Sequence, residues 1–348
     1  MSRSRSALRG ASVLALATAG ALLLAGCATA GANTDTDPAA PSANGAFPVT
    51  VQSALGDVTI ESEPQRIVTI GWGSADTVVA LGSTPVGVEA ASWGGDDDEY
   101  FPWVRDAIAA SGDPLPVTFN VYPEIDVEAV LELEPDLILA PQSGLSPEQY
   151  ATLSELAPTV AYPDDAWRTA WDDQISIIGQ ALGKSDEAAD LVTQISTELA
   201  ETAAANPEFA DLSFAYVAAT EPGALALYQS GDPRVDIISG LGLTVDETVA
   251  AVPLTSGTFA STVGLERADL LGNVDVLFTW FNDQASADTI EAQPLFAQIP
   301  AVADGAYVPN VENQLAMASS MITPLSVPWA LEAYVPMIQQ AAANARQE

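Results

Sequence analysis

No histidine occurs anywhere in this chain of 348 residues, and cysteine occurs once, as Cys27. The first absence excludes Ser-His-Asp and Cys-His catalysis, together with the imidazole-rich sites that usually hold zinc, copper or nickel. The second excludes any disulfide within the chain and leaves no spare thiol for catalysis or metal binding. Cations are scarce as well: ten Lys and Arg stand against 47 Asp and Glu, a formal net charge of −37. A chain so acidic repels nucleic acid and anionic headgroups, so neither is expected as a partner. Paired carboxylates could still hydrolyse glycosides. With acids this abundant, however, their proximity in sequence singles out no pair, and an enzyme is the poorer reading. Outside the N-terminal region no apolar run approaches the length of a membrane span.

What is present begins with a leader. Arg3, Arg5 and Arg9 precede the apolar segment Ala11 to Ala25, and Leu24-Ala25-Gly26-Cys27 follows. A basic head and an apolar stretch too short to span comfortably make residues 1–26 a signal peptide. The four-residue ending resembles a bacterial lipobox, in which Cys27 is diacylated and becomes the new N-terminus. Loss of the three arginines makes the remaining chain three charges more negative. Residues 27–46, built from Ala, Gly, Asn, Thr, Asp, Pro and Ser, read as a flexible tether. The remainder is long enough for two domains with proper cores.

That remainder is organised around Asp126 to Gly144. Asp126 caps a short helix with Val127, Val130 and Leu131 on one face, and Pro135 stops it before the apolar run Leu137 to Ala140. A helix therefore feeds a buried strand, which empties into Pro141-Gln142-Ser143-Gly144, the strand end where open α/β sheets place ligands. The pattern recurs as Leu265 to Leu271 followed by Val274 to Trp280. Two related lobes follow from this, and Trp167, Trp171, Ile175 and Ile178 at helical spacing put one bridging helix over 165–183. The expected fold class is α/β: two Rossmann-like lobes, 47–164 and 184–348, joined by that helix with a ligand cleft between them.

Within the first lobe, Val49 to Val51 and Val58 to Ile60 suggest a hairpin. Arg66 to Ile70 reads as a buried strand, with Ser74 as the cap of the next helix. Trp72 lies in the exit loop between two glycines that let a ligand approach, which favours a cleft position over a core one. Ala91 to Trp103 is too polar and glycine-rich for core yet carries Trp93, Tyr100, Phe101 and Trp103, an aromatic binding wall. Its three consecutive aspartates lack the spacing of a calcium loop, and no metal site is expected. Ser146-Pro147-Glu148-Gln149 is a capping box.

The lipobox, the tether, Phe47-Pro48-Val49-Thr50, Pro64 to Val68, Glu128 to Ile138, Gly231-Asp232-Pro233-Arg234 and Pro324 to Trp329 together resemble the iron-siderophore substrate-binding lipoproteins of bacterial ABC importers. The resemblance runs from Phe47 to the C-terminus. It implies two α/β lobes on one rigid helix, a ferric siderophore held between them, and delivery to an ABC permease and its ATPase at the extracytoplasmic face of the membrane. The receptor is expected to be monomeric, to touch the membrane only through its lipid, and to need no cofactor, since the siderophore chelates the iron. By position in the repeated motif, Glu128 and Glu266 match the glutamates with which the family docks on its permease. Trp72, Trp93, Tyr100, Ser143, Tyr228 and Trp280 would meet the ligand. Arg234 would donate to its iron-coordinating oxygens or pair with a neighbouring aspartate. The alternatives are a receptor of the same fold for cobalamin or haem and, more remotely, a carboxylate-based cell-wall hydrolase. Few cations survive the leader, which favours a neutral or cationic hydroxamate chelate over an anionic tricatecholate.

Overall fold

A computed structural model describes residues 46–219, 223–255 and 259–346. Its first sheet is wholly parallel, in the order β5-β4-β3-β6-β7. The strands are β3 (Ile67–Thr69), β4 (Gly87–Glu89), β5 (Val117–Phe119), β6 (Leu137–Leu139) and β7 (Thr159–Val160). Helices cover both faces of such a sheet, so its central strands are continuous apolar runs: every residue of β3 and β6 is buried. The expected hairpin forms as a separate antiparallel pair, β1 (Val49–Val51) with β2 (Val58–Ile60). The capping box also forms, with Ser146 and Gln149 bonding reciprocally at the start of the helix Pro147–Ser154. Ser74 is not a cap. It is the first residue of the helix Ser74–Ala80, and its hydroxyl donates back to the Ile70 carbonyl at 3.1 Å.

The second sheet has the order β11-β9-β8-β12-β13, with β10 added beside β8. Its strands are β8 (Ser213–Ala218), β9 (Ala224–Tyr228), β10 (Thr244–Val245), β11 (Ala260–Gly264), β12 (Val276–Trp280) and β13 (Tyr307–Asn310). β8, β12 and β13 run parallel, while β9 is antiparallel to both its neighbours. β11 therefore points the same way as β8. One face of this sheet packs on the C-terminal helix Ser326–Ala345, where Tyr216 and Tyr334 share a hydrogen bond of 2.9 Å.

The repeated motif has a structural meaning in both sheets. Asp136, just before β6, accepts from the backbone N–H groups of Gln65 and Arg66 at 2.8 Å each, fixing the start of β3. Asp275, just before β12, accepts from the Ser213 N–H at 2.7 Å and from its hydroxyl at 2.6 Å, fixing the start of β8. The two aspartates occupy the same place relative to paired strands.

The bridge differs from the helix expected over 165–183. Only Trp171–Ala181 is helical. Trp167 takes a left-handed φ of 61°, its N–H bonds to the Ser143 carbonyl at 3.0 Å, and Thr169 N–H bonds to Gln142 Oε1 at 3.0 Å. Partners in the exit loop of β6 outweigh the helical spacing of the tryptophans. The 21-residue helix Ser185–Ala205 follows. Its start packs Ala188 on Gly179 of the preceding helix, and its later turns pack Leu199 on Gly240 of the second lobe. The signal peptide, Cys27 and nearly all of the tether lie outside the described residues.

Candidate functional site

The cleft floor in the first lobe is made where β3, β4 and β6 end. Gly71 leaves β3 at φ 83°, where a Cβ would strike the Gln142 carbonyl, so a glycine is needed for this close approach. Its N–H donates to Glu89 Oε2 at 2.7 Å. Trp72 follows, with its N–H on the Gln142 carbonyl at 3.1 Å and its own carbonyl accepting from Gln174 Nε2 at 2.6 Å. Backbone bonds on both sides thus fix this tryptophan over the floor. The loop after β4 then rises past Trp93 to Tyr100, whose hydroxyl donates to the Pro116 carbonyl at 2.6 Å. Arg105 braces the loop through Asp96 at 2.6 Å and Asp98 at 2.8 Å, which ties up acids of the three-aspartate run.

Between these elements lies a recess of about 140 Å³ bordered by Trp72, Glu89, Trp93, Glu99, Tyr100 and Phe101, with Met317 reaching in from the second lobe. Beside it, a cavity of about 230 Å³ is bordered by Glu89, Ser143, Tyr122 and Trp167. A third, of about 210 Å³, lies between Gln142, Trp167 and Arg168 on one side and Gln229 to Pro233 and Phe259 on the other. Trp167 borders two of the three and packs on Trp72 with ring centroids 5.4 Å apart. It was expected on the buried face of the bridging helix, but it is 39% exposed at the mouth of the cleft. The glycine beside Ser143, Gly144, leaves room for its indole. Ser143 itself is buried, and its hydroxyl bonds to the Ala140 carbonyl at 2.8 Å.

The second lobe presents a different surface. Trp280, at the carboxyl end of β12, meets Trp93 edge-on at 5.5 Å, so one indole from each lobe closes the cleft between them. Its Nε1 donates to the Tyr228 hydroxyl at 3.1 Å. Tyr228 is buried and covered by Arg234, whose guanidinium carbon stands 3.9 Å from the ring centroid. Of the two roles expected for Arg234, the geometry is that of the aspartate pair. Nε and Nη2 each donate to Asp232 at 2.8 Å, and Nη1 to Ser320 at 3.3 Å. Burial alone would lower the Arg234 pKa, but the charge and hydrogen bonds of Asp232 outweigh it, and the pKa rises.

Two carboxyl groups near the cleft are also shifted. Burial raises Glu89, against the opposing Gly71 N–H bond. Burial likewise raises Asp76, against hydrogen bonds from Thr323 and Trp103. Both of those donors lie 2.7 Å from Asp76 Oδ1, and since Thr323 belongs to the second lobe, Asp76 pins the lobes together beneath the cleft. Sequence reasoning missed Glu89, Trp167 and Asp76. The only available signal for Glu89 was its position at the last residue of a short strand. Among the described residues, no group of three or more Asp, Glu, His or Cys is placed to hold a metal ion, and no helix is long and apolar enough to cross a membrane.

Glu128 and Glu266 are both exposed. Each follows the outermost strand at the same end of its sheet, β5 in the first lobe and β11 in the second. Glu128 sits in the first turn of the helix Val127–Glu132, capped by Asp126, whose side chain accepts from Ala129 N–H. Glu266 sits in a looser 3-10 segment, Leu265–Leu271, broken at Arg267.

The family model described as "Periplasmic binding protein" matches residues 67–308. The ferric enterobactin-binding periplasmic protein FepB of Escherichia coli is 28% identical over 277 residues, covering 74% of this chain and 81% of FepB. The iron(3+)-hydroxamate-binding protein YxeB of Bacillus subtilis is 27% identical over 204 residues, 58% of this chain and 57% of YxeB. Among solved structures, Streptococcus pneumoniae PiaA in complex with ferrichrome aligns with a TM-score of 0.78 at 29% identity, over 86% of this chain and 100% of PiaA.

Proposed function

Since the chain belongs to the periplasmic binding protein family, a family of binding proteins and not of enzymes, we propose that it captures a ferric siderophore between its lobes. It hands this cargo to an ABC permease at the extracytoplasmic face of the membrane, to which acylated Cys27 tethers it. The observation that carries this reading is the composition of the cleft. Trp72 and Trp167 pack at a tilt of 53° on one side, and Trp93 from the first lobe meets Trp280 from the second. Such surfaces suit the organic shell of a chelate, which brings its own oxygen ligands to iron and needs none from the protein. Likeness to YxeB and to ferrichrome-bound PiaA supports the same substrate class.

Charge narrows the class further. Neither the recess nor the Ser143 cavity has Lys or Arg on its described lining. Arg234 is occupied by Asp232, and Arg168 at the third cavity lies 3.5 Å from Asp165. A ferric tricatecholate carries three negative charges, and burying it here with at most the exposed Arg168 to meet them would cost several kcal/mol. A trihydroxamate complex, neutral or cationic, meets no such cost. The test is a titration of intrinsic tryptophan fluorescence with a ferric trihydroxamate and a ferric tricatecholate at physiological salt. Saturation by the hydroxamate at the lower concentration is expected. Tighter binding of the tricatecholate would overturn the assignment.

Delivery rests on Glu128 and Glu266. Their exposure and their matching places beyond the two outermost strands support a role as paired contacts for permease cations, one on each lobe.

A further inference from the structure

The recess beside Trp93 is too small for the cargo. Pockets that bury a drug-sized ligand run from about 300 to 1,000 Å³, whereas this one holds about 140 Å³ and is the smallest of the three, beside cavities of about 230 and 210 Å³. It has the size of a side arm, and it lies between the lobes, with Met317 of the second lobe on its border. Its lining includes the aromatic residues Trp72, Trp93, Tyr100 and Phe101 and the polar residues Thr69, Ser92, Glu89 and Glu99, with no Lys or Arg among the described lining residues.

Glu89 is the decisive group. One of its oxygens accepts from Gly71 N–H at 2.7 Å, and no Lys or Arg pairs with it among the described residues. It borders both the recess and the Ser143 cavity. A half-buried carboxylate without a cation is unfavourable in the empty protein and becomes favourable once a cation arrives. Aromatic faces around it add attraction for the same kind of charge. Nearby Arg105 is already committed to Asp96 and Asp98, with its guanidinium over the Tyr100 ring at 4.9 Å.

We infer that Glu89 and the aromatic recess select a siderophore carrying a terminal alkylammonium group, so that the iron-bearing part rests in the main cleft while its cationic arm enters beside Trp93. This rests on the trihydroxamate reading and adds to it a charged group that the chelate need not have. A neutral arm would fill the recess but leave Glu89 without its counter-charge. An anionic arm would meet the Glu89 carboxylate and no cation.

The probe is a matched pair of ferric chelates: a linear trihydroxamate ending in a primary amine, and the same molecule N-acetylated on that amine. Both are titrated by calorimetry against the mature chain, then against Glu89→Gln, in which the amide oxygen can still accept from Gly71, and against Glu89→Asp. The wild-type chain should prefer the amine form by about ten-fold or more. Glu89→Gln should reduce that preference to about two-fold or less, and Glu89→Asp should retain part of it. Because each preference is a ratio within one protein, partial loss of folded material does not imitate the effect. Equal affinities in the wild type, or a preference that survives Glu89→Gln, would overturn the inference while leaving the trihydroxamate reading in place. If neither chelate binds and another class of iron complex does, the substrate reading itself fails, and this assignment with it.

Discussion

The two lobes follow one plan. Laid side by side, β5-β4-β3-β6-β7 and β11-β9-β8-β12-β13 place equivalent strands in equivalent positions, with an aspartate before β6 and before β12 and a glutamate after β5 and after β11. They differ in the direction of one strand. β4 runs with its neighbours and ends at Glu89, so the loop beyond it is free to form the recess. β9 runs against β8 and ends at Tyr228, which is sealed under Arg234 and Asp232. The reversal puts the carboxyl end of β9 at the opposite end of the sheet from those of β8 and β12, so Tyr228 is not the counterpart of Glu89. The first lobe thus borders a recess, and the second presents the packed wall of Tyr228, Arg234 and Asp232.

The largest effect that would test this contrast comes from the wall. Asp232→Ala leaves the Arg234 guanidinium buried without its partner, and such a loss costs about 3–5 kcal/mol. Urea denaturation followed by far-ultraviolet circular dichroism should show it as a large fall in midpoint. A change below about 1 kcal/mol would mean that water reaches the arginine and that the wall is not sealed.

An intermediate effect probes the shared plan. Asp136→Ala and Asp275→Ala each remove an acceptor from two donors at the start of the neighbouring strand. Each should cost about 1–3 kcal/mol, and the two costs should agree within about 1 kcal/mol. If one substitution were silent, the two aspartates would not be equivalents.

The smallest effect on the isolated protein is expected at the rim. Glu128→Ala and Glu266→Ala should change stability by no more than about 0.5 kcal/mol and leave ligand affinity within about two-fold, while slowing iron uptake by cells. A loss of binding in either variant would put that glutamate inside the cleft.

How much of this was legible in the sequence depended on whether the cause was local. Ser146 and Gln149 lie three residues apart, the hairpin strands flank a short turn, and Leu137 to Leu139 follow a proline-stopped helix; in each case the neighbours that decide the structure are adjacent in the chain. The recurrence of a helix feeding a strand was visible for the same reason, although what Asp136 and Asp275 hold was not. Trp167 shows the opposite case. Its spacing from Trp171 and Ile175 fits a helix, yet its N–H is claimed by Ser143, on the exit loop of a different strand. Glu89 was silent because nothing around it in sequence reveals that β3 and β6 end beside it. The pairing of Arg234 with Asp232 is local, but deciding between pairing and ligand contact required knowing that Tyr228 and Ser320 enclose it.

The contact between Trp93 and Trp280 gives the protein an optical gauge of its own. Two indoles with centroids 5.5 Å apart and planes crossed at 67° couple their electronic transitions, and the coupling falls with the cube of their separation. One ring rides on each lobe, so a parting of a few ångströms would weaken the paired positive and negative bands that this dimer adds to circular dichroism beside those of Trp72 and Trp167. The unlabelled chain therefore reports whether its jaws are together, in a spectral region where no bound iron chromophore is required, and it can be read in the empty and loaded receptor alike.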